Sequence, residues 1–543
     1  MLPGLMMDYP LTMTHFLLRA RTFFAAREVV SRPPNGTLHR YAYADYYVRT
    51  EKLAKALLRL GVQPGDRVAT LAWNGYRHLE AYYAVPGIGA VLHTLNLRLH
   101  HDELSYIARH AGDSVILVDR SLLPLLSRFR AELPALKHVV VMPDDGAVDS
   151  GDLDYETLLD AESPGFDWPV LDERAGALMC YTSGTTGAPK GVLYSHRSTV
   201  LHTMMLCMVD TKGICESDTV MPVVPMFHAN AWGMAHAAVG VGAKLVFPGP
   251  DLSPLAVVNL MAAERVTFAA AVPTVWLGVL SLLDENPGRW DLSALRMVSV
   301  GGAAAPPAMI DGFESRHGIH IRHTWGMTET NPLATVSRLR HDLPASGPEA
   351  IARRATQGFA VPFVEQRHVD DTGTVLPWDG TQMGELQVRG PWVASSYYES
   401  PEGADKFTED GWFRTGDVVT IDPHGYVSIT DRAKDVIKSG GEWISTQALE
   451  NALMAHPSVL EAAVFAAEHE KWGERPVAAV VLKEGKAATK AELAAHLEGR
   501  FAKWWLPDDY LFIEQIPRTS TGKFKKLDLR ARYGKHLLAP TPA

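Results

Sequence analysis

A segment rich in glycine and hydroxyl side chains, residues 181–191, has the composition of a loop that binds phosphate. It reads Tyr181-Thr182-Ser183-Gly184-Thr185-Thr186-Gly187-Ala188-Pro189-Lys190-Gly191 and follows an apolar, strand-like stretch at 176–180. Glycines let backbone N–H groups approach an anion, hydroxyls add donors, and Lys190 adds a positive charge. The segment lacks the Gly-Lys-[Ser/Thr] ending of a Walker A loop. We predict an anion-binding loop, with a flexible surface loop as the alternative.

Alternating strand-like and helix-like segments predict the fold that positions this loop. Apolar strand patterns at 67–72, 115–118 and 138–142 are separated by helical patterns at 76–90 and 102–111. Such alternation predicts parallel sheets with helices on their faces, and continuous apolar runs indicate strands buried on both sides. Beyond about residue 350 the strand patterns alternate more strictly, as they do in strands with one solvent-facing side. The later predicted elements are strands at 384–390, 425–429, 462–465 and 477–482, and a helix at 490–503.

The length of 543 residues exceeds what one hydrophobic core supports, so two or more domains are expected. We place a boundary near Asp431-Arg432. The predicted class is α/β: residues 1–430 form a large domain of parallel and mixed sheets flanked by helices, and residues 431–543 form a smaller α+β domain.

Composition excludes several classes of protein. The net charge of −10 argues against a general nucleic-acid binder, because phosphate backbones are held by clustered Lys and Arg. The three cysteines, Cys180, Cys207 and Cys215, have no metal-ligand spacing and suit a reducing compartment. Residues 1–18 have no basic residue before their apolar stretch, which makes a poor secretion signal. A cytoplasmic location is expected.

Two stretches without charged residues, 219–243 and 266–283, have about the length of a membrane span. The first contains prolines, histidines and an asparagine. In the second, Pro273 separates a strand-like piece from a helix-like piece. Both patterns favour buried segments of a soluble protein without a transmembrane helix.

Six further motifs follow the loop in the chain. They are Gly301-Gly302-Ala303-Ala304, Thr324-Trp325-Gly326-Met327-Thr328-Glu329, Phe413-Arg414-Thr415-Gly416-Asp417, Asp431-Arg432-Ala433-Lys434-Asp435, Ser439-Gly440-Gly441-Glu442 and Pro517-Arg518-Thr519-Ser520-Thr521-Gly522-Lys523. Together with the loop they resemble the adenylate-forming superfamily of acyl-CoA synthetases, peptide-synthetase adenylation domains and beetle luciferases. Segments 225–232 and 440–445 look most similar to bacterial medium- and long-chain fatty acyl-CoA synthetases.

The resemblance implies an ATP-dependent ligase that uses Mg²⁺ and coenzyme A. A carboxylate attacks the α-phosphorus of ATP and releases pyrophosphate, and a thiolate then attacks the acyl-AMP and releases AMP. Positioning and charge neutralisation dominate such chemistry. By resemblance, Glu329 is the Mg²⁺ ligand with Thr182 as a second ligand, and Thr328 donates to the α-phosphate. Lys523 is the catalytic cation that bridges the acid and the nucleotide.

The resemblance assigns the nucleotide site to residues of most of these motifs. They are Thr182, Ser183, Gly184, Thr185, Thr186, Gly187, Lys190, Gly302, Ala303, Ala304, His323, Thr324, Trp325, Gly326, Thr328, Asp417, Arg432, Lys434, Lys438 and Trp443. The small residues 301–304 form a wall over the adenine, and Asp417 accepts the ribose hydroxyls with Arg432 in support. Trp325 departs from the family, which usually has Tyr there, so stacking is kept and a phenolic hydroxyl is lost.

The resemblance also makes the C-terminal domain mobile. Asp431 lies at the position of the family's hinge residue. A hinge consists of a few residues at the end of a helix or strand whose backbone angles change when the domain moves. Ser439, Gly440 and Gly441 would line the channel for the pantetheine arm of coenzyme A.

The acid pocket is assigned to His228, Ala229, Trp232, Val272 and Met327. Amino-acid-activating relatives have an Asp just after the Phe of segment 227–232, and this chain has none. An apolar acid is therefore favoured, because a buried ammonium without a partner is costly. Trp232 either gates an acyl tunnel or packs in the core. His228 is expected to be a positioning or gating group.

Alternatives stay open. The acid is expected to be a medium- or long-chain fatty acid, but a short, thioether or aryl acid is another substrate class. An acyl-AMP ligase that loads a carrier protein, a luciferase-like oxygenase and a nucleotide-binding protein without catalysis are alternative functions. Expected partners are the small-molecule acid, ATP and coenzyme A, with no nucleic acid and with a homodimer left open.

Overall fold

A computed structural model describes residues 2–144, 151–182, 188–433, 435–439, 442–518 and 524–538. The chain forms two compact units. The first comprises Met1–Glu365 and Arg389–Phe413, and the second comprises Gln366–Val388 and Arg414–Ala543. The predicted domain boundary between residues 430 and 431 marks the hinge of a moving domain, which is a different property from compactness. It stays a prediction.

The strands of the first unit are short and mostly buried. In chain order they are β1 (Glu28–Ser31), β2 (His39–Ala42), β3 (Arg67–Leu71), β4 (Val91–Thr94), β5 (Asp113–Asp119), β6 (His138–Met142), β7 (Leu153–Asp154), β8 (Gly176–Tyr181), β9 (Gly191–Ser195), β10 (Thr219–Pro222), β11 (Lys244–Phe247), β12 (Phe268–Ala271), β13 (Met297–Val300), β14 (Ile321–Gly326), β15 (Leu333–Val336) and β16 (Phe359–Ala360).

The helices of the first unit cover the faces of its sheets. They are α1 (Thr14–Phe24), α2 (Tyr43–Arg59), α3 (Tyr76–Gly87), α4 (His101–Ala111), α5 (Leu123–Leu126), α6 (Tyr155–Asp160), α7 (His196–Cys207), α8 (Ala229–Trp232), α9 (Met234–Val241), α10 (Pro254–Ala263), α11 (Pro273–Glu285), α12 (Pro307–His317) and α13 (Pro348–Ala355). Helices α10 to α13 each begin at a proline, whose fixed φ suits the first helical position and whose missing N–H is not needed there. Short 3₁₀ turns lie at Arg120–Leu122, Arg130–Glu132, Thr328–Thr330 and Pro401–Lys406.

Two sheets form the centre of this unit, with strand orders β7-β6-β5-β3-β4-β8-β9 and β16-β15-β14-β13-β12-β10-β11-β1-β2. Their central strands pair in parallel, and antiparallel pairs lie toward the edges: β8–β9, β14–β15, β15–β16 and β1–β2. Apolar side chains of the second sheet pack against α10 to α12 around the fully buried Trp276. Parallel sheets covered by helices on both faces agree with the continuous apolar strand patterns.

The second unit contains two smaller sheets. Strands β17 (Glu365–Val369), β18 (Gly384–Arg389), β19 (Phe413–Ile421) and β20 (Val427–Arg432) form one, in chain order. Strands β21 (Ile437–Ser439), β22 (Glu442–Ile444), β23 (Val459–His469), β24 (Gly473–Leu482) and β25 (Asp509–Phe512) form the other, with order β22-β21-β24-β23 and β25 beside β24. Helices α14 (Thr446–Met454), α15 (Lys490–Leu497) and α16 (Lys526–Tyr533) accompany it, with a 3₁₀ turn at Lys503–Trp505.

The predicted fold class is confirmed, and each predicted strand overlaps an observed one. The helix predicted at 490–503 is too long. It ends at Leu497, because Glu498 leaves the helical region and Gly499 has φ +75°.

Both stretches without charged residues fold as buried segments. The first forms β10, α8 and α9, and the second forms β12 and α11 on the two sides of Pro273. None of the described helices combines the length and the apolar composition needed to span a bilayer.

Candidate nucleotide and acid site

Two antiparallel hairpins carry the predicted phosphate-binding motifs. The first hairpin, β8–β9, encloses the glycine-rich loop. At its base the Thr182 N–H donates to the Lys190 carbonyl at 2.9 Å, and the Lys190 N–H donates to Thr182 Oγ1 at 3.1 Å. The loop therefore begins and ends at one fixed point, while Ser183, Gly184, Thr185, Thr186 and Gly187 lie outside the described residues.

The second hairpin, β14–β15, encloses the turn that contains Glu329. Thr328–Thr330 form a single 3₁₀ turn, and Asn331 has φ +59° before β15 begins. Gly326 is required at the start of this turn, because a Cβ there would lie 1.8 Å from the Pro332 carbonyl oxygen. The Met327 N–H donates to Thr330 Oγ1 at 2.9 Å, which closes the turn.

Three contacts fix Glu329 and its neighbour. Tyr397 donates its hydroxyl to Glu329 Oε1 at 2.7 Å, the Ala394 N–H donates to the Glu329 carbonyl at 2.7 Å, and the Tyr194 hydroxyl donates to the Thr328 carbonyl at 2.6 Å. Burial and then the Glu329 carboxylate raise the pKa of Tyr397, so this hydroxyl keeps its proton and remains a donor. Only 6 % of Glu329 is exposed. The carboxylate is thus held in one orientation.

Tyr397 also joins the two hairpins. Lys190 Nζ lies 5.0 Å from the centroid of the Tyr397 ring, while the hydroxyl of the same ring contacts Glu329. The structure therefore brings the cation of the glycine-rich loop and the predicted metal ligand to one side chain. The Glu329 carboxylate and the Thr182 hydroxyl are hard oxygen donors, and Mg²⁺ is commonly held by one or two such groups together with phosphate oxygens. The donor set fits the predicted ion.

The predicted adenine wall follows β13. Gly302 has φ +78°, and residues 302–304 are exposed. Thr324 Oγ1 donates to the Val300 carbonyl at 3.1 Å, which ties β14 to the end of β13. His323 is buried, with Nδ1 at 2.7 Å from the Thr356 carbonyl oxygen and Nε2 at 3.3 Å from that of Ala303. Burial lowers its pKa, and the neutral ring has a single N–H, so it donates to one of these two carbonyls.

The predicted acid-pocket residues lie at the carboxyl ends of neighbouring strands, where open α/β sheets bind ligands. Val272 follows β12, and Gly301 follows β13. A Cβ on Gly301 would come 3.1 Å from the Trp232 ring, and a Cβ on Gly302 would come 3.3 Å from Val272 Cγ1. Met327 is half-buried and His228 is exposed. The chain therefore brings Trp232, Val272 and the glycines together.

Trp232 ends a left-handed turn, α8. Residues 229–232 have φ between +42° and +54°, and Gly233 continues with +73°. This backbone costs about 1–2 kcal/mol for each residue with a Cβ, and strain of this kind clusters at functional sites. The buried Asn230 anchors the turn, because its Oδ1 accepts from the Cys180 thiol at 3.1 Å.

The second unit contains the predicted ribose and hinge residues. Asp417 is 1 % exposed, and its Oδ1 lies 2.8 Å from Arg432 Nη1, the residue predicted to support the same ribose. Asp431 Oδ2 accepts from the Thr446 N–H at 2.5 Å and from its hydroxyl at 2.6 Å, which fastens the predicted hinge to the start of α14. Burial raises the pKa of Asp431, and the Lys526 ammonium opposes that shift.

Other predicted residues of this unit make contacts of their own. Lys438 Nζ pairs with Asp371 Oδ1 at 2.7 Å and lies 4.9 Å from the Trp443 ring centroid. Ser439 is buried and its Oγ accepts from Arg475 Nη1 at 3.2 Å. Lys434, Gly440, Gly441 and Lys523 lie outside the described residues, so their assignments stay predictions.

Sequence reasoning missed Tyr397 and Tyr194. Tyr397 stands in Ser395-Ser396-Tyr397-Tyr398-Glu399, where two adjacent aromatics in a polar segment are the only indication. Its contact with Glu329 joins residues 68 positions apart, and no local pattern encodes that separation.

Family comparison agrees with this geometry. The model of the AMP-binding enzyme family matches residues 19–398, and that of the AMP-binding enzyme C-terminal domain matches residues 448–523. The chain belongs to the AMP-binding enzyme family. The resemblance found in the motifs is confirmed.

Relatives align with this AMP-binding enzyme over nearly its whole length. A long-chain-fatty-acid–CoA ligase of Thermus thermophilus is 50 % identical, covering 98 % of this chain and 97 % of its own. A medium-chain-fatty-acid–CoA ligase of Ectopseudomonas oleovorans is 44 % identical, with 98 % of both chains covered. A 3-methylmercaptopropionyl-CoA ligase of Ruegeria lacuscaerulensis is also 44 % identical, again with 98 % of both chains covered.

Solved structures share the fold. The anthranilate CoA ligase AuaEII in complex with anthranoyl-AMP is 25 % identical with a TM-score of 0.83, covering 97 % of this chain and 98 % of its own. ATP-bound MatB from Rhodopseudomonas palustris is 26 % identical with a TM-score of 0.82, covering 97 % and 100 %.

Replacing Tyr397 with Phe tests the contact that orients Glu329. A hydrogen bond to a charged group contributes about 1.5 kcal/mol, so Tyr397→Phe should weaken the Mg²⁺ enhancement of ATP binding about tenfold. Calorimetric titration with ATP, with and without Mg²⁺, measures this enhancement. Tyr398→Phe is the matched control and should behave as the wild type. Equal enhancement in both variants would show that the Tyr397 hydroxyl does not set metal affinity.

Proposed function

We propose that this enzyme is an ATP- and Mg²⁺-dependent acid–thiol ligase. It converts a carboxylic acid to its acyl-CoA thioester through an acyl-AMP intermediate and releases AMP and pyrophosphate. The observation that carries the proposal is the joining of the glycine-rich hairpin and the Glu329 turn through Tyr397, in a chain that belongs to the AMP-binding enzyme family. Relatives named as CoA ligases align over 98 % of the chain and support the thiol acceptor.

In the first step an oxygen of the acid carboxylate bonds to the α-phosphorus, and pyrophosphate leaves with the electrons of the broken bond. Because two anions must approach each other, cations and hydrogen-bond donors lower the barrier more than covalent catalysis by the protein would. Lys190 faces the triphosphate from the glycine-rich loop, Thr328 donates to the α-phosphate, and Lys523 bridges the two reactants. Glu329 with Thr182 would hold Mg²⁺, which would neutralise phosphate charge when bound.

In the second step the thiolate of coenzyme A bonds to the acyl carbon, and AMP leaves. Asp417 with Arg432 holds the ribose, and Trp325 offers a face to the adenine. The family resemblance implies a rotation about Asp431 between the two steps and assigns the Ser439-Gly440-Gly441 segment to the thiol arm.

The acid is a medium- or long-chain fatty acid. Four of the five residues assigned to the pocket, Ala229, Trp232, Val272 and Met327, are apolar, and the fifth is His228. The contact of Trp232 with the glycines that follow β13 supports a gating role for its ring. Relatives that act on long-chain and medium-chain fatty acids support this substrate class. A short thioether acid is the second candidate, because a 3-methylmercaptopropionyl-CoA ligase is as similar as the medium-chain relative.

The proposal also includes a cytoplasmic location and small-molecule partners, and it leaves a homodimer open. The three scattered cysteines support a reducing compartment, and the net negative charge opposes binding to nucleic acid. Sedimentation at micromolar protein measures the oligomeric state.

Pyrophosphate release tests the reaction. Acids from acetate to stearate, with benzoate and 3-methylthiopropionate, are assayed with and without coenzyme A, and thioesters are detected by mass. We expect turnover that depends on coenzyme A, with one group of fatty acids preferred. Pyrophosphate or adenylate without any thioester would point to a carrier-protein acceptor. If no acid is turned over, the remaining interpretation is a protein that binds nucleotide without catalysing this reaction.

Replacing Lys523 with Ala separates the two steps. Loss of one positioned donor at the reacting phosphate should lower adenylate formation about 10²–10³-fold. Thioester formation from supplied acyl-AMP should change little, because the bond to phosphorus has already formed. Rapid-quench measurement of each half-reaction checks this. Lys525→Ala is the control, since Lys525 is exposed and pairs with Asp528 at 3.2 Å. Equal losses in both steps would refute the assignment.

A further inference from the structure

Lys212 is a buried cation beside the acid pocket that the reaction above does not use. It is 1 % exposed, and its Nζ has no hydrogen-bond partner among the described residues. The nearest feature is an aromatic face, because Nζ lies 5.4 Å from the centroid of the Trp232 ring. An ammonium removed from water without an acceptor is costly, and a native protein keeps such a group where a ligand or a function compensates.

The backbone around Lys212 is fixed at the amino ends of two central strands. Arg322, near the start of β14, donates from Nη1 to the Thr211 carbonyl at 2.9 Å. Arg296, just before β13, donates from Nη2 to the Gly213 carbonyl at 2.9 Å. The residues on both sides of Lys212 are therefore fastened to the sheet. The buried Lys212 side chain therefore extends from a fixed backbone position.

The nucleotide motifs lie at the opposite ends of the same strands. Gly301 follows β13, whose four residues span about 13 Å at the usual rise of a strand. The Trp232 ring stands between the two ends: its edge faces Gly301, and its ring face is covered by Lys212. An extended acid whose carboxylate lies at the adenylate end would pass Trp232 and direct its distal end toward Lys212.

Charge decides which distal end suits this position. Burial lowers the pKa of Lys212 to about 7, so the ammonium is only partly populated near neutral pH without a partner. A methyl terminus offers the Lys212 ammonium neither an opposite charge nor a hydrogen-bond acceptor, whereas a carboxylate offers both. Burial and then the Lys212 side chain lower the pKa of the neighbouring buried His202, so this imidazole stays neutral and does not compete with Lys212 for an anion.

We propose that Lys212 is a specificity residue for the far end of the acid, and that the enzyme accepts linear α,ω-dicarboxylic acids whose distal carboxylate pairs with it. This inference rests on the proposed ligase function and extends its substrate class. The acid is activated at one carboxylate while the other pairs with the Lys212 ammonium.

The test compares matched acids in wild type and Lys212→Met. The acids are suberate, sebacate and dodecanedioate, each paired with octanoate, decanoate or dodecanoate and with the diacid monomethyl ester. Lys212→Met should lower kcat/KM for the preferred diacid at least about tenfold, the value of one hydrogen bond between charged groups. The fatty acid of equal length and the monoester should be unchanged or improved, because Met gives the pocket an apolar end.

Two further variants guard against a folding artefact. Lys212→Arg keeps the charge and should retain the use of diacids. Lys471→Met removes an exposed lysine that also lies over a tryptophan ring, Trp472 at 4.6 Å, and should leave both acid series unchanged. Thermal melting checks that Lys212→Met folds, with an equal or higher Tm expected because an unpartnered buried ammonium is removed.

The outcomes are distinct. If wild type uses fatty acids but rejects every diacid, or if Lys212→Met changes both series in parallel, the role of Lys212 is refuted while the ligase function stands. If no acid of either series yields a thioester with coenzyme A, the ligase function fails and this inference fails with it.

Discussion

A carboxylate that binds a metal beside a triphosphate must be held firmly, because without the metal it repels the substrate it serves. Two unit charges of the same sign at 4 Å repel by about 4 kcal/mol at the effective dielectric of a protein surface. A free side chain would turn away from that repulsion. Glu329 is restrained by the Tyr397 hydroxyl, by the Ala394 N–H on its own carbonyl and by the Tyr194 hydroxyl on the preceding one. The rest of the proposed active site depends on this restraint.

The topology explains why the restraint is available. Parallel strands bring their carboxyl ends to one edge of a sheet, and β10, β12, β13 and β14 are neighbours in the second sheet. The loops that follow them contain the residues of the proposed acid pocket, the proposed adenine wall and the Glu329 turn. The glycine-rich loop comes from a hairpin of the other sheet, so a bridging side chain is needed, and Tyr397 has that place. A tyrosine suits it because one ring offers a face to Lys190 and a donor to Glu329.

Much of this arrangement could be predicted from the sequence, because its information is local. Strands β5 and β6 contain continuous apolar runs, whereas the anion-binding role of the glycine-rich loop stays a prediction from its composition. Features that depend on distant packing could not be predicted. Tyr397 acts across 68 positions of the chain, and the left-handed turn at 229–232 consists of residues that rarely adopt positive φ. Lys212 stands in Thr211-Lys212-Gly213, which looks like an exposed loop, yet the fold buries it.

Four consecutive residues with positive φ and a buried ammonium without a described acceptor lie beside the proposed acid pocket, whereas Glu329 is held by the hydrogen bonds given above. The left-handed turn positions Trp232, and the ammonium behind that ring has no acceptor among the described residues. Strained backbone and unpartnered charge, which lower stability, are expected at sites where ligand binding requires them. The phosphate side binds ATP in any reaction of this kind, while the acid side has to discriminate among substrates. Differences in substrate class among relatives are therefore expected on the acid side.

The central claim is that Glu329 is the metal ligand. It is tested most directly by measuring how the metal affects nucleotide binding to the Glu329→Gln variant. Calorimetry of ATP binding with Mn²⁺ and with EDTA gives the metal enhancement for wild type and variant, and Mn²⁺ paramagnetic resonance reports the ion itself. The account predicts that Glu329→Gln loses most of the enhancement while its metal-free affinity for ATP is equal or higher, because a repulsive charge is gone. Full metal enhancement in Glu329→Gln, or a loss of metal-free binding alone, would contradict Glu329 as the metal ligand.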